Sequence, residues 1–187
     1  MRRLLWLAPI GLLLAAFGAA CGGGQEDPRT FPEYIDRLDA IFSDATTRAD
    51  EINAKFRDAN AEAESDEEHM DAFRGLFKDM TESLRRVVDE LESLRPPALI
   101  IQEEHDELAA SAASIASILE DFSRRADESE SLDEMRELFA ELDEPRYDDA
   151  ALRMSSACLL FEDLASDNGI DVELGCVFSD LGDEQAD

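Results

Sequence analysis

Histidine and cysteine have the widest chemical range of the side chains in this sequence, since they bind metals, carry protons and act as nucleophiles. The sequence contains two histidines and three cysteines. They are widely separated along the chain, at Cys21, His69, His105, Cys158 and Cys176. Zinc sites need ligands in close pairs, and this spacing is far from such a pattern. We therefore expect no resident metal and no other cofactor.

His105 is the most informative single residue, because the helical pattern places it on the apolar face of a helix. A histidine there can be a metal ligand, a proton-responsive group or a hydrogen-bonded member of the core. We favour the core role, because no second ligand stands at helical spacing, and keep His105 as the candidate ligand-facing residue. The alternative function that it supports is a metal- or haem-binding helical bundle centred on His105.

Known metal motifs fail at the positions that define them. A ferritin-like di-iron site needs Glu-x-x-His on two helices, but Asp66 stands three residues before His69 and Gln102 stands three before His105. A calcium loop needs acidic residues at its first and twelfth positions. The segment 164–175 begins with leucine and ends with glycine, so it does not match.

Catalytic motifs are also absent from the sequence. It contains no G-x-S-x-G nucleophile turn and no glycine-rich phosphate loop before a helix. Carboxylates are so numerous, 46 in all, that no glycosidase-like pair stands out. We expect a protein that is not an enzyme; an enzyme with paired carboxylates is the less favoured alternative.

The N-terminus has the order of a secretory signal peptide. Arg2 and Arg3 are followed by an apolar run from Leu4 to Phe17 and by the small residues 18–20, which is the arrangement of a cleavable export signal. The run then stops at Cys21.

Gly18-Ala19-Ala20-Cys21 resembles the lipobox of bacterial lipoproteins. The resemblance implies that Cys21 is acylated, for example with palmitate, and becomes the first residue of the mature protein. Two or more acyl chains are what stable anchoring to a bilayer generally needs. The implied location is the outer face of a cell membrane, with the outer membrane or the cell surface as further options.

The charge of the chain restricts its partners. The formal net charge is −29, and loss of Arg2 and Arg3 with the leader makes it more negative still. Such a surface repels nucleic acid and anionic lipid. We expect contact with the membrane through the N-terminal lipid, a possible cationic protein or cation partner, and no nucleic acid. The oligomeric state is left open.

Once Cys21 is assigned to lipid, Cys158 and Cys176 remain as one possible pair. Exported proteins commonly oxidise such pairs. A disulfide across this loop would stabilise the fold by roughly 3 kcal/mol in the chain-entropy model.

Helix signals dominate the middle of the chain. Capping boxes begin helices at Thr30, Ser65 and Ser131, and the pair Pro96-Pro97 separates the second helix from the third. Asn168-Gly169 predicts the end of the last helix. Apolar residues recur in steps of three and four on each helix, and on the first they are Ile35, Leu38, Phe42, Ala45, Ala49, Ile52, Phe56, Ala59 and Ala63.

These elements predict an all-α fold, an antiparallel up-down four-helix bundle whose fourth helix is broken near Pro145. The residues after Gly169 alternate like a short strand and predict an extended segment against the bundle, held by the disulfide. We divide the chain into a signal peptide at 1–20, a lipidated tether at 21–30, a helical bundle domain at 31–178 and an acidic disordered tail at 179–187. The function expected is a non-catalytic binding or interaction module of the cell envelope.

Overall fold

The computed structural model describes residues 27–98, 101–140 and 145–175, and these residues are almost entirely helical. The predicted leader, Cys21, most of the tether, Cys176 and the acidic tail lie outside the described residues. No strand is present within the described ranges. The five helices are α1 Phe31–Glu62, α2 Asp66–Ser93, α3 Gln102–Glu128, α4 Leu132–Ala140 and α5 Pro145–Asp167.

The capping boxes predicted for the first two helices are confirmed. Thr30 caps α1 by accepting a hydrogen bond from the backbone N–H of Glu33, whose carboxylate accepts from the backbone N–H of Thr30. Ser65 and Glu68 make the same reciprocal pair at the start of α2. Each box satisfies backbone donors that would otherwise have no partner in the first turn.

The predicted end of the last helix is also confirmed. Gly169 has a φ of 76°, a left-handed conformation that favours glycine. The backbone N–H of Ile170 donates to the carbonyl of Ala165 at 2.9 Å, and that of Gly169 donates to the carbonyl of Ser166 at 2.9 Å. These two bonds form a Schellman motif, which turns the chain away from α5.

Side-chain contacts between α1 and α2 follow opposite orders along the two helices. Arg48 near the middle of α1 donates to Ser83, and Asn60 near its end contacts His69 at the start of α2. The contacts of α2 with α3 are also reversed, since Phe77 stacks on Phe122 further along α3. A helical bundle accounts for this packing.

Pro145 is the first residue of α5, which places the predicted break between α4 and α5. The short helix α4 packs on α2 and α3 through the buried side chains of Met135 and Leu138. The longer helix α5 packs mainly on α3 and contacts α1 only sparsely. Two helices therefore share the fourth layer of the bundle. Both pack on α3, but α4 also covers α2, whereas α5 also contacts α1.

The second half of α1 differs from expectation. The apolar stripe predicted burial along the whole helix, but the buried residues of α1 end at Phe42. Beyond it, Ile52 and Phe56 are half-buried, and Ala49 and Ala59 are exposed. The reason is packing: α5 contacts α1 only sparsely, and α4 lies on α2 and α3, so α1 has α2 as its main neighbour.

Residues 170–175 have no regular secondary structure, so the predicted short strand is not formed. Their packing against the bundle is nevertheless present. Leu174 is 2% exposed, and its backbone N–H donates to the Glu162 carboxylate at 2.7 Å. In the part of the chain that the structure describes, no helix is both long enough and apolar enough to cross a bilayer.

Candidate functional site

His105 lies in the core where the beginning of α1, the end of α2 and the beginning of α3 meet. The side chain is 4% exposed. Its Nδ1 is 2.8 Å from the hydroxyl oxygen of Tyr34, which is itself fully buried and packs against Phe161 of α5 with ring centroids 5.5 Å apart. The sequence predicted that His105 lies on an apolar helix face, but not the partner that α1 supplies.

The environment keeps this pair neutral. Burial lowers the pKa of His105, while the charge of Asp106 and a hydrogen bond with the backbone of Leu91 act in the opposite direction. Burial, with a smaller contribution from Asp106, raises the pKa of Tyr34. A phenol hydroxyl can donate or accept, so the tautomer of His105 sets the direction of this hydrogen bond. With the ring proton on Nε2, Tyr34 donates to Nδ1.

This arrangement uses the lone pair of His105 that a metal would need. The Tyr34 hydroxyl occupies Nδ1. Within the described ranges, His, Cys, Asp and Glu side chains form no group of three that could hold a metal ion. The geometry is that of a buried polar link between helices, which fixes their relative positions.

His69 lies at the opposite end of α1 from the His105 pair. Its Nδ1 is 2.8 Å from the side-chain oxygen of Asn60, across the connection between α1 and α2. The two histidines therefore belong to separate sites, and neither completes a ligand set for the other.

Of the three cysteines, the structure describes Cys158, which is 2% exposed in the core of α5. Cys21 and Cys176 lie outside the described residues, so lipidation and the disulfide stay predictions here. The described chain ends at Gly175, one residue before Cys176.

An apolar groove lies between the second half of α1 and the first half of α2, and we call it the distal groove. Its volume is about 280 Å³. A Cβ atom added to Gly75 would have no other atom within 4 Å, so the space above this glycine is open. The lining residues are Ile52, Lys55, Phe56, Ala59, Glu68, Asp71, Ala72, Gly75, Leu76 and Asp79.

A second apolar feature is found on the outer side of α5. Leu152 is 67% exposed, Leu159 is 57% exposed and Leu160 is 41% exposed. Scattered exposed leucines are common on protein surfaces.

Sequence reasoning missed both Tyr34 and the distal groove. Tyr34 immediately precedes Ile35 of the predicted stripe, and a tyrosine at this edge of an apolar face is a signal for a buried polar partner. The groove had a weaker signal in the sequence. Gly75 interrupts an otherwise strong helical pattern, and a glycine inside a helix indicates a packing or functional role at that position.

The whole chain was compared with protein-family models, curated proteins and solved structures, and no match was found. The function must therefore be argued from the residues of this chain.

Proposed function

We propose that this protein is a lipid-anchored, extracytoplasmic helical bundle that acts as a non-catalytic interaction module of the cell envelope. The observation that carries the proposal is the apolar N-terminal run that stops on Gly18-Ala19-Ala20-Cys21. An export signal followed by an acylated cysteine accounts for this arrangement.

The position of the described N-terminus supports such a tether. Oδ2 of Asp27 lies 3.9 Å from Nε of Arg95 in a weak and exposed ion pair. Arg95 lies just after the end of α2. Cys21 precedes Asp27 by six residues, which span at most about 20 Å when extended. A lipid on Cys21 would hold this end of the bundle, where the Tyr34 and His105 pair also lies, close to the membrane.

The proposal includes the full architecture, an antiparallel up-down bundle closed by a disulfide between Cys158 and Cys176. Residues 170–175 return along α5, since Leu174 contacts Glu162. Glu162 stands four residues after Cys158, which is about 6 Å along the helix. Cys176 follows Leu174 by two residues, so we propose that it pairs with Cys158. Maleimide labelling of the non-reduced, denatured protein should find no free thiol, and two reactive thiols would contradict the bond.

The non-catalytic part of the proposal rests on the interior. The buried titratable side chains Tyr34 and His105 are directed at each other rather than into a cavity. The distal groove is lined mainly by apolar atoms, which suits binding better than acid–base chemistry. We therefore favour an interaction role over the metal- or haem-binding alternative at His105, for which Tyr34 would have to give up its hydrogen bond.

Acyl labelling in a bacterial host tests the anchor. We expect the wild-type chain to incorporate radiolabelled palmitate and to lose its leader, because Cys21 supplies the acceptor thiol. Cys21→Ser should abolish both labelling and processing. Cys158→Ser is the matched control and should keep the label. Unchanged labelling of Cys21→Ser would overturn the proposal.

A further inference from the structure

We propose that the distal groove is the docking site for a cationic amphipathic helix of a partner protein. This inference rests on the interaction role proposed above and gives that role a location and a partner chemistry. Three features carry it: the shape of the groove, the absence of a covering element in the described chain, and the charge around it.

The shape of the groove allows apolar side chains of a partner to pack into it. Ile52 and Phe56 of α1 form one wall, and Leu76 of α2 forms the other. Phe56 is held in place by Phe73, with ring centroids 5.0 Å apart. The floor at Gly75 is open, so one or two side chains of an incoming helix can enter there. A third helix laid between two packed helices recovers ordinary bundle packing.

The described helices leave this groove uncovered. α5 contacts α1 mainly near the Tyr34 end, and α4 packs against α2 and α3. The consequence is visible along α1, where burial stops at Phe42 although the apolar pattern continues. The apolar pattern of α1 therefore continues past the part of the helix that the other described helices cover.

Charge complementarity selects a basic partner. The groove edge carries Glu68, Asp71 and Asp79, of which Asp79 pairs with Lys55 and Asp71 pairs with Arg74. Along the chain, residues 58–73 contain seven carboxylates and no lysine or arginine. An acidic partner would be repelled by this rim, whereas lysine or arginine side chains flanking an apolar stripe would find the carboxylates of α2.

The location suits a membrane-anchored module. Ile52 and Ala59 lie 22 and 29 residues after Thr30, or about 33 and 44 Å along a helix. The groove therefore lies at the end of the bundle that is far from the proposed lipid. A partner could reach it without approaching the bilayer.

A designed peptide tests the site directly. The probe is a fluorescent synthetic helix with leucines on one face and lysines flanking them, and its control carries glutamate in place of each lysine. Binding to the purified full chain is measured by fluorescence anisotropy. We expect the lysine peptide to bind and the glutamate peptide to fail.

Two tryptophan variants locate the binding. Gly75→Trp fills the open floor and replaces a glycine that is unfavourable in a helix, so the chain should remain folded by circular dichroism. We expect it to weaken binding of the lysine peptide at least tenfold. Ala110→Trp places the same side chain at an exposed position of α3 and should change affinity less than about twofold, as surface substitutions usually do.

The outcomes separate this inference from the proposed function. If Gly75→Trp and Ala110→Trp bind the peptide equally well, the contact is diffuse attraction to an acidic surface, and the groove inference is overturned. Failure of the wild-type chain to bind at low salt also overturns it. Cys21→Ser should leave peptide affinity unchanged, so loss of acyl labelling and loss of groove binding are read independently.

Discussion

The hydrogen bond between Tyr34 and His105 links α1 to α3 inside an apolar core. A buried polar pair of this kind stabilises one arrangement of the helices, because sliding either helix would leave two polar groups without partners. The distance of 2.8 Å and the burial of both side chains indicate a well-formed bond.

Removing the hydroxyl should destabilise the fold. We expect Tyr34→Phe to lower the free energy of unfolding by about 1–3 kcal/mol, because His105 keeps a buried acceptor with no donor. Urea denaturation followed by circular dichroism measures the change. Tyr147→Phe, at a half-buried tyrosine of α5, is the control and should cost less. Equal effects of the two substitutions would show that the Tyr34 bond contributes nothing specific.

The same pair predicts a pH dependence. Burial lowers the pKa of His105 in the fold, so the unfolded chain binds the proton first, near its usual pKa of about 6.5. Stability from this group is complete above that pH and is lost as the pH falls through the window between the unfolded and folded pKa values. The urea midpoint of the wild type should therefore fall as the pH is lowered from 7.5 towards 5.5, in part because of His105.

The two histidines allow a matched test of this pH dependence. His105→Gln should remove part of the pH dependence in that window, whereas His69→Gln at the polar contact with Asn60 should retain it. If stability changes with pH at the same slope in both variants, the pH dependence comes from the carboxylates instead.

The core position of His105 could be predicted from the sequence, because the helical pattern places it on an apolar face. Its hydrogen-bond partner could not, because the three-and-four periodicity defines a face but not which polar group on a facing helix lies at the same level. Tyr34 and His105 are separated by 71 residues, and only packing brings them together.

Helix boundaries were the most predictable elements. Capping boxes, prolines and the Asn168-Gly169 pair each act within a few residues, so their effects are readable without tertiary structure. Burial along a helix is different, because it depends on neighbours. The second half of α1 has the periodicity of a core helix, yet its main neighbour there is α2.

Two glycines offer a paired test of the helices. Gly75→Ala in α2 should stabilise the fold by roughly 0.5–1 kcal/mol, because alanine favours the helix and the added methyl group meets no other atom within 4 Å. Gly169→Ala should destabilise it by roughly 1–2 kcal/mol, because alanine disfavours the left-handed conformation at a φ of 76°. Chemical denaturation of both variants checks the signs. Stabilisation by Gly169→Ala would contradict the observed helix end.

The molecule as a whole has two chemically different ends. The end with Tyr34, His105 and Asp27 is packed and near the proposed anchor, and the other end carries the open groove and an acidic turn. The composition indicates an acidic protein and the apolar periodicity predicts a helical body, but neither could place the open surface. That surface results from the packing of α4 on α2 and α3 and from the sparse contact of α5 with α1, which are properties of the assembled fold.

The central claim is that the body of the protein is held to a membrane by lipid on Cys21. Mass spectrometry of the N-terminal peptide, from the full-length chain expressed in a bacterium and extracted from its membranes, tests this most directly. We expect a peptide that begins at Cys21 and carries the mass of a thioether-linked diacylglycerol. A peptide that still contains Trp6, or one with an unmodified Cys21 thiol, would contradict it.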